Sequence, residues 1–144
     1  MPSSLAHVVV LTDDLDSVLR FLDDHARLGP VHPYDADPQG MADIFGWPVE
    51  QAATRGALIG SGPGMLEAVE IPEALRGQIE PGLALLAVPH RDADGAVASL
   101  RQAGLDARGP IEQRAPGGVQ LRIVTTSVGG LPFELLQFGG DSAG

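Results

Sequence analysis

The apolar stretch Leu5–Leu11, with the sequence LAHVVVL, and its near-repeat Gly82–Val88, with the sequence GLALLAV, decide the fold of this chain. A continuous apolar run of this length is typical of a strand that is buried on both faces. An Asp-x-Asp segment follows each run, beginning at Asp14 and at Asp92, and supplies the carboxylates that favour a helix start. The repetition predicts two modules built on one plan.

Each module also closes in the same way, with one glutamate inside an apolar run. Glu67 lies in the segment MLEAV, and Glu134 lies in the segment PFELL. Equivalent residues of a duplicated module are expected to line one shared cleft. The first-strand positions His7 and Leu85 and the last-strand positions Glu67 and Glu134 are therefore candidates for a single site. Three of these four side chains can bind a metal or move a proton.

Hydrophobic periodicity and turn residues predict a strand, a helix and three further strands in each module. The helices are expected to run from Asp14 to about Leu28 and from Asp92 or Asp94 to about Ala103. The later strands are predicted at Val31–His32, Ala53–Ile59 and Met65–Ile71 in module one, and at Ala107–Arg114, Val119–Thr126 and Leu131–Phe138 in module two. This is an α+β domain of 144 residues, with module one at about 4–72, a linker at 72–81, module two at about 82–138 and a disordered tail at 139–144.

One segment, Tyr34–Pro48, makes the first module longer than the second. It is too long for an ordinary connection and carries Phe45 and Trp47 in a chain with few aromatic residues. Long loops on a rigid scaffold often form lids, so Phe45 and Trp47 are predicted to line an apolar substrate pocket. Packing of the same segment against a partner subunit is the alternative.

Composition excludes several classes of function. The chain has no cysteine, which excludes disulfides and thiolate chemistry, and all nine of its basic residues are arginines, which excludes a Schiff-base lysine. A net charge of −10 argues against a nucleic-acid surface. No stretch approaches the roughly 20 apolar residues of a membrane span, and no signal peptide is evident. We therefore expect a cytoplasmic protein without a membrane or nucleic-acid partner.

The ordered set of motifs in both halves resembles the vicinal oxygen chelate superfamily over roughly residues 4–138. That group includes glyoxalase I, methylmalonyl-CoA epimerase, extradiol dioxygenases, fosfomycin-resistance enzymes and bleomycin-resistance proteins. The resemblance implies a curled mixed sheet around a cleft, a small-molecule substrate or ligand, and a homodimer. It also implies that His7, Glu67 and Glu134 are metal ligands, whereas Leu85 stands at the fourth ligand position and cannot bind a metal.

The residues themselves leave more than one explanation for the buried acids. An unpaired buried carboxylate costs several kcal/mol, so Glu67 and Glu134 need a partner. That partner is a metal, an arginine such as Arg55 or Arg122, water, or a proton on one of the acids. One imidazole and two carboxylates suit Mn, Fe, Co, Ni or Zn. Without a metal, the two acids would act as an acid and a base.

Two functions remain open at this point. The first is an enzyme with isomerase, epimerase or lyase chemistry, in which His7, Glu67 and Glu134 are catalytic and Phe45, Trp47, Leu85 and Arg122 contact the substrate. The second is a metal-free binding protein like the bleomycin-resistance group, which the non-ligating Leu85 favours. The nine arginines show no cluster suited to the phosphates of CoA, so methylmalonyl-CoA epimerase activity itself is not expected.

Overall fold

Two βαβββ modules make up the structure, as the sequence repeat predicts, and the α+β class is confirmed. The computed structural model describes residues 5–115 and 117–139. Among these residues there are two compact units, one formed by His7–Ala84 and the other by the described residues from Leu85 onward together with Leu5 and Ala6. Most of the tail that the sequence predicts to be disordered, residues 140–144, lies outside the described residues.

Module one is a four-stranded mixed sheet with the strand order β2-β3-β4-β1. Strand β1 runs parallel to β4, and the other two pairings are antiparallel. Helix α1 continues into a wider helical turn over Leu22–Ala26. The elements are β1 His7–Thr12, α1 Leu15–Phe21, β2 Val31–Ala36, α2 Pro38–Phe45, β3 Thr54–Ile59 and β4 Met65–Glu70.

Module two repeats the arrangement, with the strand order β5-β8-β7-β6 and one parallel pairing, between β5 and β8. A register shift interrupts the pairing of β6 with β7 between Arg108 and Ile111, where the sequence has Gly109-Pro110. The elements are β5 Gly82–Pro89, α3 Ala93–Gln102, β6 Ala107–Arg114, β7 Gln120–Val128 and β8 Leu131–Phe138. Within residues 5–115 and 117–139, none of the helices is both long enough and apolar enough to span a bilayer.

The prediction that Tyr34–Pro48 is an irregular loop is wrong. Tyr34 belongs to β2, and most of the remaining segment forms helix α2. The Asp37 side chain accepts a hydrogen bond from Gly40 N at 3.1 Å at the start of this helix, and Gly46 ends it with a φ of 75°. An Asp-Pro start and a glycine end are ordinary helix signals. The sequence pattern conceals the helix because the segment is short and lacks a long apolar period.

Helix α1 and helix α3 each cover one face of the sheet in their own module. In module one, Leu15 and Leu22 of the helical segment pack with Ala57, Ile59 and Ala68. Side chains alternate between the two faces of a strand, so Glu67, which neighbours Ala68, points to the face away from α1. We call this surface the far face of module one. It is the face that carries the candidate site.

The same reasoning applies to module two. Ala93 and Val97 of α3 pack against Val124, with Leu135 beside them. Glu134, the neighbour of Leu135, therefore lies on the sheet face away from α3. The two glutamates occupy equivalent positions in their own modules, as the sequence repeat predicts.

A polar side chain from the last strand of the module bonds the first N–H group of α1 and of α3. Leu15 N donates to Glu70 Oε2 at 2.8 Å, and Ala93 N donates to Gln137 Oε1 at 2.8 Å. Glu70 and Gln137 each lie three positions after the far-face glutamate of their module. These bonds satisfy helix N–H groups that have no partner within the helix. The duplication is thus visible in hydrogen bonds as well as in sequence.

Glu70 carries a second interaction that its counterpart lacks. Arg55 Nε lies 3.1 Å from Glu70 Oε1, and the same guanidinium contacts Asp16 at 3.0 Å. Burial raises the pKa of Glu70, but the hydrogen bonds from Arg55 and from Leu15 N outweigh it, so the pKa falls below its ordinary value of 4.5. The ionised carboxylate is therefore the form that stabilises the fold.

We predict that Glu70→Gln preserves the helix-end bond, because Gln137 makes the same bond naturally, and loses only the Arg55 pair. The expected cost is about 0.5–1 kcal/mol of unfolding free energy near pH 7. The lowered pKa means that this contribution is complete above pH 4.5 and disappears as the pH falls through the folded-state value. Urea unfolding of both proteins from pH 7 to pH 3 should therefore show converging stabilities, and a constant difference would contradict the assignment.

Candidate functional site

Three polar side chains form a hydrogen-bonded chain on the far face of module one. His7 Nε2 lies 3.1 Å from Glu67 Oε1, and the Tyr34 hydroxyl donates to Glu67 Oε2. The His7 and Glu67 side chains are only 12% and 19% exposed. Both carboxylate oxygens of Glu67 thus have a partner, which offsets the cost of removing the charge from water.

Strand register explains why residues so distant in sequence meet here. Val9 of β1 is in register with Glu67 of β4, so the two side chains share a face. His7 lies two positions before Val9 and therefore points to the same face. Across β4 from β1, and on the same face, Gly56 of β3 is in register with both Val69 of β4 and Tyr34 of β2.

Tyr34 reaches Glu67 by lying across Gly56. A Cβ atom at position 56 would be 2.6 Å from both Tyr34 Cζ and the Tyr34 hydroxyl oxygen, and 3.0 Å from the Ala68 carbonyl oxygen. These separations are too short for any side chain, so only glycine leaves room for the ring. The Tyr34–Glu67 hydrogen bond therefore depends on the absence of a side chain at position 56.

The alternative that an arginine neutralises Glu67 is wrong. Arg55 pairs with Glu70 of β4 and with Asp16 of α1, on the helix side of the sheet. Arg122 pairs with Asp94 through two hydrogen bonds of 2.9 Å and 3.0 Å. The partners of Glu67 are instead an imidazole and a phenol.

Arg122 is predicted to bind substrate, but its guanidinium already has carboxylate partners. In addition to the two hydrogen bonds with Asp94, Arg122 Nε lies 3.8 Å from Glu112 Oε1. The guanidinium is therefore already engaged within module two. A substrate anion at Arg122 would have to compete with these carboxylates, and the substrate role stays a prediction.

Phe45 and Trp47, the other predicted substrate contacts, stack on each other at the end of α2. Their ring centroids are 4.6 Å apart, with an angle of 19° between the planes. Trp47 is 8% exposed, so most of its surface is already packed within the protein. The stacked pair gives the segment after α2 a rigid aromatic anchor. Their contact with substrate stays a prediction.

Glu134 and Leu85 are both buried in module two, at 4% and 7% exposure. Glu134 of β8 pairs in register with Ala87 of β5 and Thr125 of β7. The sequence-based prediction that Glu134 and Leu85 act together with His7 and Glu67 stays a prediction.

His7 and Glu67 fit a metal only in part. The 3.1 Å between Nε2 and Oε1 suits a hydrogen bond, and two ligands of one ion would have a similar separation, since metal–ligand bonds of about 2.0–2.1 Å are typical. Glu67 Oε2 is taken by Tyr34. In the described parts of the chain, no group of three or more His, Asp or Glu side chains is placed to hold a metal ion. The metal-ligand set of His7, Glu67 and Glu134 therefore stays a prediction.

Tyr34 is the site residue that sequence reasoning does not find. The sequence pattern places it in a loop, as one of three aromatic residues there. The sequence nevertheless contains a usable signal, because Gly56 is a glycine in the middle of a strand, β3, which pairs antiparallel with β2. A glycine inside a strand often marks a close approach by another group.

Comparison with solved structures finds methylmalonyl-CoA epimerases among the similar folds. The epimerase of Mycobacterium tuberculosis is 23% identical, covers 95% of this chain and 92% of its own, and gives a TM-score of 0.67. A variant epimerase of Streptomyces coelicolor, in complex with 2-nitronate-propionyl-CoA, is 18% identical, covers 98% and 100%, and gives 0.68. A hypothetical protein from Bacillus halodurans C-125 is 15% identical, covers 92% of both chains, and gives 0.69.

The chain has the glyoxalase-like fold. No protein-family model matches it, and no curated protein is similar to it in sequence. The structural similarity covers both modules, and the methylmalonyl-CoA epimerases belong to the vicinal oxygen chelate superfamily that the sequence motifs resemble. At identities this low, the comparison establishes the fold, whereas substrate and activity have to be argued from the site.

We predict that Gly56→Ala lowers the free energy of unfolding by about 1–3 kcal/mol, because the new methyl group overlaps the Tyr34 ring. Urea unfolding measures the loss. In a Tyr34→Ala background the overlap is gone, and the same Gly56→Ala change should cost much less. Equal costs in the two backgrounds would show that the glycine is required for another reason.

Proposed function

We propose that this protein is a small-molecule enzyme of the vicinal oxygen chelate type that removes a proton from carbon next to a carbonyl group, with isomerase, epimerase or lyase outcome. The observation that supports it best is the Glu67 carboxylate, which is fixed by His7 and Tyr34 on a sheet face free of the helix. The fold shared with methylmalonyl-CoA epimerases supports the same class of reaction.

Glu67 has the properties that such a base requires. Each carboxylate oxygen has two acceptor positions, so Oε1 and Oε2 can each accept one hydrogen bond and still present a lone pair. Fixed partners hold these lone pairs in one direction, which favours proton transfer to a positioned carboxylate. In the reaction, the C–H bond breaks, its proton passes to Glu67, and its electrons move to the carbonyl oxygen as an enolate.

The outcome depends on what happens to the enolate. Return of a proton to the opposite face of the carbon gives epimerisation, return to a neighbouring atom gives isomerisation, and loss of a leaving group gives elimination. We propose Glu134 as the second acid, on the basis of its equivalent position in module two. Glu134 is 4% exposed, and a positioned carboxyl group can act as a general acid.

Deuterium exchange tests the proposal whichever product is formed. The protein is incubated in D₂O with methylmalonyl-CoA, which a neighbouring epimerase binds, and with simpler 2-substituted carbonyl acids. Proton NMR then follows loss of the α-hydrogen signal. We expect exchange with at least one compound, reduced by about 10²–10⁴-fold in Glu67→Gln.

Glu70→Gln is the matched control for this experiment. It makes the same chemical change three positions away, on the helix-facing side of the same strand. It should keep nearly full exchange activity. Equal losses in Glu67→Gln and Glu70→Gln would mean that the effect is on folding, and unchanged exchange in Glu67→Gln would contradict its role as the base.

A binding protein of the bleomycin-resistance type is the second candidate, and Leu85 favours it. This leucine is 7% exposed and stands at the position that the resemblance to the superfamily assigns to a fourth metal ligand. Such a protein would bind planar or apolar compounds without exchanging their hydrogens. Ligand binding that is detected by calorimetry, without exchange of the ligand's α-hydrogen in D₂O, would favour the binding protein over the enzyme.

Metal analysis of untagged protein tests the predicted ligand set. If His7, Glu67 and Glu134 hold a divalent metal, purified protein should contain one equivalent of Mn, Fe, Co, Ni or Zn, and both His7→Ala and Glu134→Gln should lose it. Arg122→Ala should retain it, because that guanidinium pairs with Asp94. A metal bound there would supply Lewis-acid stabilisation of the enolate. Protein without stoichiometric metal would contradict the ligand set and leave the two glutamates as acid and base.

A homodimer in solution completes the proposal. Its support is the resemblance to the superfamily, and sedimentation equilibrium provides the measurement. A single species of twice the chain mass is the expected result, and a monomer at all concentrations would contradict it.

A further inference from the structure

Tyr34 is the only tyrosine in the chain, and it makes the hydrogen bond that occupies Glu67 Oε2. The sequence motifs that suggest the superfamily do not include it. Its ring spans β3 to reach from β2 to β4, which requires glycine at position 56. Tyr34 fits only because residue 56 is a glycine. This pairing of a large polar residue with a glycine places the Tyr34 hydroxyl group at Glu67.

Module two shows that the fold itself does not require this pair. Register equates Leu58 with Thr125, since these residues pair with Glu67 and Glu134. Two positions earlier stand Gly56 in module one and Ile123 in module two. The β2 partner of Gly56 is Tyr34, whereas the β6 partner of Ile123 is Ile111.

Two isoleucines therefore stand at the positions that Tyr34 and Gly56 occupy in module one. Ile123 is 2% exposed, so the apolar solution is well packed. A scaffold that needed only a filled sheet face would be satisfied by the isoleucine pair. Module one has Tyr34 and Gly56 in place of the two isoleucines, beside a glutamate, Glu67, that has both a phenol and an imidazole as partners.

We propose that Tyr34 is a positioning residue of the site. Its hydroxyl fixes the rotation of the Glu67 carboxylate, so that Oε1 faces His7 and the remaining lone pairs point to one side. Gly56 acts with it as the space that the ring needs. The consequence for catalysis rests on the proposed function of Glu67 as a base, whereas the positioning itself does not.

The chain of contacts predicts how a change at Tyr34 is transmitted. Loss of the hydroxyl frees the carboxylate to rotate about its terminal bond. The hydrogen bond between Oε1 and His7 Nε2 then weakens, although Tyr34 and His7 are on different strands, β2 and β1. A merely structural role of the ring would leave the His7 imidazole unaffected when only the hydroxyl is removed.

NMR with selective labels detects both links. Protein labelled with ¹³C at tyrosine Cζ gives one tyrosine signal, because Tyr34 has no competitor. We expect this signal to move upfield in Glu67→Gln, where the acceptor loses its charge, and to stay in place in Glu70→Gln. An unmoved Cζ signal in Glu67→Gln would overturn the proposal.

The second label is ¹⁵N in the imidazole rings, with the signals of His7 assigned by their loss in His7→Ala. We expect Tyr34→Phe, which keeps the ring and removes only the hydroxyl, to shift the His7 ring-nitrogen signals and to leave the other three histidines unchanged. Gly56→Ala should shift them as well, by displacing the ring. Unshifted His7 signals in folded Tyr34→Phe would refute the positioning role, whether or not the protein proves to be an enzyme.

Kinetics supply the functional arm once an exchanging compound is known. Tyr34→Phe should lower kcat about 10²-fold and leave KM nearly unchanged, because misalignment of the base affects the proton transfer and not substrate binding. Adding Tyr34→Phe to Glu67→Gln should cause no further loss, since both act through one carboxylate. Full kcat in Tyr34→Phe, or additive losses in the double variant, would contradict the catalytic consequence.

Discussion

The Glu67 carboxylate, held from both sides by proton donors, is the interaction on which the candidate site depends. A carboxylate that is 19% exposed is stable only with partners for its charge, and His7 and Tyr34 provide them. Each partner arrives by a different route, His7 through the parallel pairing of β1 with β4 and Tyr34 across β3. The site is therefore a product of sheet register, and it exists only if the strands of module one keep their alignment.

In both modules the two faces of the sheet have different roles. On the helix side, both modules retain an apolar core and a polar side chain that binds the first helix N–H group, Glu70 in one and Gln137 in the other. On the far face the modules differ. Module one carries a hydrogen-bonded polar chain in which Tyr34 lies beside Gly56, whereas module two has Ile111 and Ile123 at the equivalent positions. The two modules are thus alike on the helix side, which stabilises the fold, and differ on the far face, which carries the candidate site in module one.

Most of the fold can be predicted from the sequence, because its signals are local. The apolar runs in β1 and β5 and the caps at Asp14 and Asp92 depend on neighbours within a few residues. His7, Glu67 and Glu134 are recognisable for the same reason, as polar residues in apolar strands. The structure confirms that His7 and Glu67 meet.

The features that escape prediction depend on contacts between distant residues. Tyr34 follows a proline and lies among polar residues, so its strand has no apolar alternation to reveal it. The partners of Arg55 and Arg122 cannot be chosen from sequence, since several carboxylates are available to each and only the packed structure selects among them. Sequence patterns thus identify which residues carry chemistry, and the register of the strands determines which of them interact.

A crystal structure of the purified protein at a resolution that separates the carboxylate oxygens tests the central claim most directly. We expect His7 Nε2 and the Tyr34 hydroxyl within hydrogen-bond distance of two different oxygens of Glu67, with the Tyr34 ring lying over Gly56. A Glu67 side chain that is turned towards an arginine, or a Tyr34 ring that points away from β3, would contradict it.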